Sequence, residues 1–247
     1  MSGGGDVAGT LRRAGVYRIL GGAFAYPTRE RIADLARAAA TLAVSASPGA
    51  LRDALACFSA AAYRTDADVA GTEYVFLFDR QVRCPAYEGA WGDGAAMAGR
   101  VARLADIAGF YRAFGIEVAG AQPESEDHLV AELEFMSMAA LKEAAALDAG
   151  PPEHAEITRD AQTKFVTDHL GRWAPAFAEE LAGASALPYY ATAAALLSAW
   201  MHLEVAELGA APDAIPGRSG LDPVQADAFA CPMAPAAVED DEAAPTV

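Results

Sequence analysis

Cysteine is scarce in this chain. There are three, Cys57, Cys84 and Cys231, far apart and without a Cys-x-x-Cys pair. That excludes a disulfide framework and a thiolate zinc site, and it fits a reducing compartment. Positive charge is short as well: 18 basic against 34 acidic side chains leave a net charge of -16. A nucleic-acid partner is excluded on that ground, since its phosphates need Lys and Arg. The acidity suits a cationic partner, or serves solubility alone. No long apolar run exists. The longest, around Ala191 to Met201, is too short to span a bilayer. The Gly-rich start, Met1 to Thr10, has no basic region followed by an apolar one, so no secretory signal is read and a cytoplasmic location is expected.

Catalytic signatures are missing too. There is no Gly-x-Ser-x-Gly, no phosphate-binding glycine loop and no His-Glu-x-x-His,. None of His128, His154, His169 and His202 follows an acidic residue by three, which a helical di-iron site requires. His128 with Glu132 is half a metal site at most. Cys84, beside Arg83, is either a low-pKa thiol or a structural one, and the structural reading is preferred. No metal and no cofactor is expected.

Strand signals are absent: no Asn-Gly or Asp-Gly hairpin lies between alternating segments, and no repeat is found. What is present is helical periodicity in an apolar fraction of 53%, much of it Ala,. Helices are expected through Leu11–Phe24, Ile32–Leu42, Leu51–Ala62 and Asp66–Asp79, then Ala95–Phe114, closed by Gly115. Others follow from the segment at Pro123 to Asp148, from Glu153 to Leu170, through Trp173–Leu181, and up to Leu208. The fold class is all-α, a single-domain bundle of roughly nine to ten helices over residues 1–209. Residues 210–247, rich in Pro, Ala and acid and containing the apolar patch Phe229–Met233, are expected to be flexible or loosely docked.

Two segments carry polar chemistry. In Pro123–Met136, Ser125 is expected to cap a helix whose first turn holds Glu126 and Asp127. Leu129, Leu133, Met136, Ala140 and Leu147 form its apolar stripe, with His128 and Glu132 together on another face. In Arg83–Gly94, Tyr87, Glu88 and Trp91 stand among glycines and prolines. Rings held in this way offer contact area at little entropic cost, and Tyr74, Leu77 and Phe78 come just before them. Asp127 and His128 are either an acid–base pair or helix-terminus residues. Together with the loop they favour binding.

Three motifs carry a resemblance. They are Glu73–Phe78 followed by Pro85–Trp91, then Glu126–Met136, then Phe165–Phe177. In this order they resemble the TorD/DmsD/NarJ family of molybdoenzyme-specific cytosolic chaperones, the redox enzyme maturation proteins, over roughly Val16 to Leu208. The resemblance implies an all-helical protein that is not an enzyme. It implies binding of the twin-arginine signal peptide, and often the body, of a molybdopterin-containing catalytic subunit, which delays export until the cofactor is inserted. The peptide-binding residues it implies are Tyr74, Leu77, Phe78, Tyr87, Glu88, Trp91, Asp127, His128 and Glu132. The partner is then the catalytic subunit of a molybdenum oxidoreductase of the DMSO reductase superfamily, and the protein is a monomer or dimer. Arg83-Cys84 and the acidic tail depart from the pattern. A cationic head paired with carboxylates and an apolar run on the aromatics would reach micromolar affinity, about −8 kcal/mol. The alternatives are a nucleotide-dependent switch or small enzyme using Asp127 and His128, or an assembly subunit retained in the mature complex.

Overall fold

Local capping sets most helix boundaries. The computed structural model describes residues 6–92, 97–116 and 125–218. Asp6 caps α1 (Val7–Phe24) by accepting from Gly9 N. Thr28 Oγ1 accepts from Arg31 N at 3.2 Å and caps α2 (Arg29–Ser45), directly after Pro27. Ser47-Pro48-Gly49 separates α2 from α3 (Ala50–Arg64). Asp66 Oδ1 takes two first-turn N–H groups of α4 (Ala67–Tyr74), which runs into a π-helical turn, Val75–Asp79. These are the donors that the first turn of a helix leaves without partners. The loop 80–92 includes a short 3₁₀ turn, Glu88–Ala90. Then come α5 (Met97–Ala113), closed by Gly115 at φ 65°, and α6 (Leu129–Ala149). The helical path of α7 (Pro152–Phe165) continues through a second π turn, Val166–Leu170, into α8 (Gly171–Ala184). The last helix is α9 (Pro188–Leu208), ended by Gly209 at φ 64°.

Nine α-helices and no strand are found among the described residues. The protein is an all-α, single-domain bundle. α1 lies along α6, α2 on α3, α6 on α7, and α9 against α8 and α3. At the centre is α6, buried on several faces: Leu129, Leu133, Met136 and Ala140 of the expected stripe are inside, and so are Glu132, Phe135, Ser137 and Glu143. The expected separation of Glu132 onto a face apart from the core is therefore corrected: the solvent face of α6 is Glu134, Met138, Leu141, Lys142 and Ala145, and Glu132 lies on the buried side opposite. Inside, polar groups need partners. At Glu143, Arg13 supplies one by binding Glu143 at 2.9 Å, Glu204 at 2.6 Å and Gln162 at 2.8 Å. Burial alone would lower the Arg13 pKa, but the Glu204 bond and the surrounding carboxylates outweigh it and hold the guanidinium charged.

A second correction concerns the start of α6. His128, not Ser125, is the cap. Its Nδ1 accepts from Val130 N at 3.2 Å, while Ser125 O accepts from His128 N in the turn before. Pro123 and Glu124 lie outside the described residues, as do Asp93, Gly94 and residues 219–247 with Cys231, Phe229–Met233 and the acidic terminus. Residues 210–218 run back from α9 over the start of α8 to the loop. Ile215 N donates to Arg172 O at 2.8 Å, and Gly92 N donates to Gly217 O at 3.2 Å. No helix among the described residues is long and apolar enough to cross a membrane.

Candidate functional site

Backbone hydrogen bonds join the two polar segments that are separate in sequence. Glu88 N donates to Asp127 O at 2.9 Å, Leu129 N donates to Ala86 O at 2.8 Å, and Tyr87 pairs antiparallel with His128. Tyr87 and His128 stack edge to face, 4.8 Å between ring centroids. Gly89 N donates to Asp127 Oδ2 at 3.1 Å. A Cβ at Gly89 would stand 3.0 Å from that oxygen, so a larger residue there would press on the Asp127 carboxylate. The loop is thereby tied to the mouth of α6.

This tie gathers three carboxylates. Glu88, Asp127 and Glu132 are each 1% exposed or less. Glu132 Oε2 accepts from Trp173 Nε1 at 3.2 Å. Glu88 Oε2 lies 3.1 Å from His169 Nδ1, and its Oε1 lies 3.5 Å from Arg103 Nε. The other face of His169 meets Asp106 of α5 at 3.2 Å. Glu88 Oε1, Asp127 Oδ1 and Glu132 Oε1 have no hydrogen-bond partner. Burial pushes the Glu132 carboxyl well above the usual glutamate range, the Glu88 charge adds to this, and the Trp173 bond opposes it,. Proton and cation are thus alternative ways of neutralising one site.

An aromatic wall adjoins the carboxylates. Trp91, 1% exposed, donates to Pro85 O at 3.0 Å and packs on Trp173 and Phe177. Phe177 continues to Phe78, which meets Tyr74 and Tyr190. Tyr87, Glu88, Trp91, Asp127, His128 and Glu132 therefore come together, with Trp173 linking Trp91 to Glu132. Tyr74, Leu77 and Phe78 belong to the neighbouring aromatic core, with Leu77 fully buried and Tyr74 half-buried. Cys84 is buried in the same core beside Phe177 O, and burial pushes its thiol up, away from reactivity,.

Sequence reasoning assigned no role to Arg103, His169 or Trp173. His169, Trp173 and Phe177 recur every four residues, which is a signal that they share one helix face. Gly171 holds that face in place: a Cβ there would lie 2.4 Å from Val166 O, so the π turn that aims His169 at Glu88 admits only glycine. Outside the carboxylates an open cavity of about 620 Å3 is lined by Arg103, Asp106, Asp168, His169 and Arg172. Another, of about 490 Å3, lies elsewhere between Thr10, Leu42, Leu55 and Trp200 and holds none of these residues. Among the described residues no three His, Cys, Asp or Glu side chains are grouped to hold a metal ion.

Comparison with known proteins adds to this geometry. A family model described as nitrate reductase delta subunit matches residues 33–179. The chlorate reductase assembly chaperone protein of Ideonella dechloratans is 37% identical over 83 residues, 34% of this chain and 42% of the relative. The selenate reductase assembly chaperone protein of Thauera selenatis is 38% identical over the same length, with the same coverage. The chaperone protein TorD of Vibrio cholerae serotype O1 (strain M66-2) is 30% identical over 126 residues, 50% of this chain and 53% of the relative. The chain spans about half or less of the length of these relatives. With its family model covering more than half of it, the chain belongs to the nitrate reductase delta subunit family, the TorD- and NarJ-type proteins that its motifs resemble.

Proposed function

We propose that this protein is a cytoplasmic maturation chaperone for the catalytic subunit of a molybdenum oxidoreductase, and that it holds that subunit by its twin-arginine signal peptide. The names of its relatives, assembly chaperones of chlorate and selenate reductases and TorD, support the reading. The single observation that carries the site is the under-neutralised carboxylate group Glu88–Asp127–Glu132 beside the Trp91–Trp173–Phe177 wall. A buried oxygen without a donor costs about 1–3 kcal/mol, so a cation delivered there is favoured. The aromatic side, with Tyr74, Tyr87, Leu77 and Phe78, gives an apolar run a surface once side chains shift. His128 holds the α6 mouth in register. Nothing in this role requires turnover; the work is binding and release, and the protein is not an enzyme.

Most of these side chains are covered, so the client reaches them where α5 side chains give way. A charged hydrogen bond of about 1.5–3 kcal/mol and a few apolar anchors leave micromolar affinity after association costs. Calorimetry with a synthetic twin-arginine leader tests this. Asp127→Asn keeps the shape and the Gly89 contact but removes the charge, and is expected to weaken binding about tenfold, the size of one charge-assisted hydrogen bond. Unchanged affinity in a folded Asp127→Asn protein sinks the site. Heat from a nucleotide without a client favours a nucleotide-dependent switch instead. Co-purification with the fully assembled oxidoreductase marks a retained subunit.

A further inference from the structure

The carboxylate site already holds a cation that fits it badly. Arg103 reaches in from α5 with its side chain 18% exposed, and its Nε stays 3.5 Å from Glu88 Oε1, beyond a good hydrogen bond,. Its Nη1 is buried without a partner, and so are Glu88 Oε1, Asp127 Oδ1 and Glu132 Oε1. Donors and acceptors are thus both unsatisfied in one small volume, where buried polar groups are nearly always paired. Arg100, one turn before and exposed, lies against Gly89, with its Nε 3.6 Å from the position of a Cβ there. The two arginines share one face of α5.

We infer that Arg103, aided by Arg100, occupies in the free protein the guanidinium subsite that a client arginine takes on binding. This rests on the client reading above. The α5 backbone dictates where the Arg103 fork points. A guanidinium on a flexible peptide is free of that tether and can set its planar donors on two oxygens at once. The open cavity lined by Asp106, His169 and Arg172 gives the displaced Arg103 side chain room. The resident arginine therefore lowers the apparent affinity for every client, as any competing closed state does.

Calorimetry on the full chain tests this. The probe is a synthetic leader with two consecutive arginines ahead of an apolar stretch, and a control leader with both replaced by glutamine. Arg103→Gln is expected to bind the arginine leader about tenfold more tightly than the wild type, equal to about 1.4 kcal/mol, with no gain for the control. Circular dichroism and melting report whether the variant is folded. If it is not, Arg100→Gln carries the test, with a smaller expected gain of about threefold because an exposed charge near the site is screened by water,. Equal or weaker binding by a folded variant, while the wild type binds, overturns the inference and leaves the client reading standing. So does an equal gain for the control. Failure of both proteins to bind overturns the client reading and this inference with it.

Discussion

The Trp173 indole donates to Glu132 Oε2 at 3.2 Å, and the other oxygen of that carboxylate has no partner. Half-satisfied and fully buried, Glu132 keeps its proton well above the pH at which an unfolded chain releases it,. From about pH 4.3 upward, unfolding therefore releases a proton, and stability contributed at this position falls as pH rises toward the raised folded value. Glu132→Gln removes that dependence, and its amide oxygen can still accept from Trp173. The variant is expected to melt higher than the wild type by a margin that widens from about pH 4.3 to neutrality. Each 1 kcal/mol is worth about 2–4 °C in a chain of this size. Thermal melts across that range check it; a margin that is flat or shrinks with pH refutes the account.

Gly171 makes the second prediction. An alanine methyl would press on Val166 O at 2.4 Å and on Pro212 at 3.2 Å. The clash is with backbone, so the π turn must move and carry His169 off Glu88. Gly171→Ala is expected to cost more than about 2 kcal/mol, in the range of overpacked cores, read as a lowered urea midpoint. A midpoint within error of the wild type would show that the turn yields freely.

The helix start at His128 gives a third. Its ring takes Val130 N at 3.2 Å in place of a conventional cap side chain. His128→Ala leaves that N–H without a partner and is expected to cost about 1 kcal/mol, while His128→Asn restores an acceptor and most of the stability. Chemical denaturation of the three proteins decides it; equal loss in both variants means that ring packing on Tyr87, not capping, dominates.

The bundle was legible in the sequence where its signals are local. The helix ends expected at Phe24, Asp148 and Leu208 fall at or next to those observed, and Gly115 closes α5 at positive φ. The start of α6 was misread because long-range bonds override local preference. Ser125 is a good cap by type, but Leu129 N to Ala86 O and Glu88 N to Asp127 O pull residues 125–128 into a turn joined to the loop. Glu132 is set apart from the apolar stripe by spacing alone, but the wet face of α6 runs through Glu134, Met138, Leu141 and Ala145, and Glu132 lies on the inner side. Glu88, Asp127 and His128 were readable as one set. Arg103, His169 and Trp173 were not, since their pairings cross 15 to 81 positions of chain and only the π turn at Val166–Leu170 aims the histidine.

The segment after α9 supplies the last prediction. Arg218 donates to Arg83 O at 2.7 Å and pairs with Glu180, while Ile215 lies over Gly92. Gly92 N donates to Gly217 O, and Trp91 bridges to Arg218. These bonds bind one edge of the loop that carries Tyr87, Glu88 and Trp91, so the strap sets how readily that loop opens, apart from the stability of the helical core. Ile215→Ala with Arg218→Ala is expected to speed amide exchange at Trp91 and Gly92 about tenfold, a local loss of about 1.4 kcal/mol. The amides of α3, which the strap does not touch, are expected to keep their protection. Hydrogen exchange with peptide resolution reads both. Uniform acceleration through α3 as well would mean that the strap supports the whole bundle, and no change at Gly92 would mean that the α6 mouth alone holds the loop.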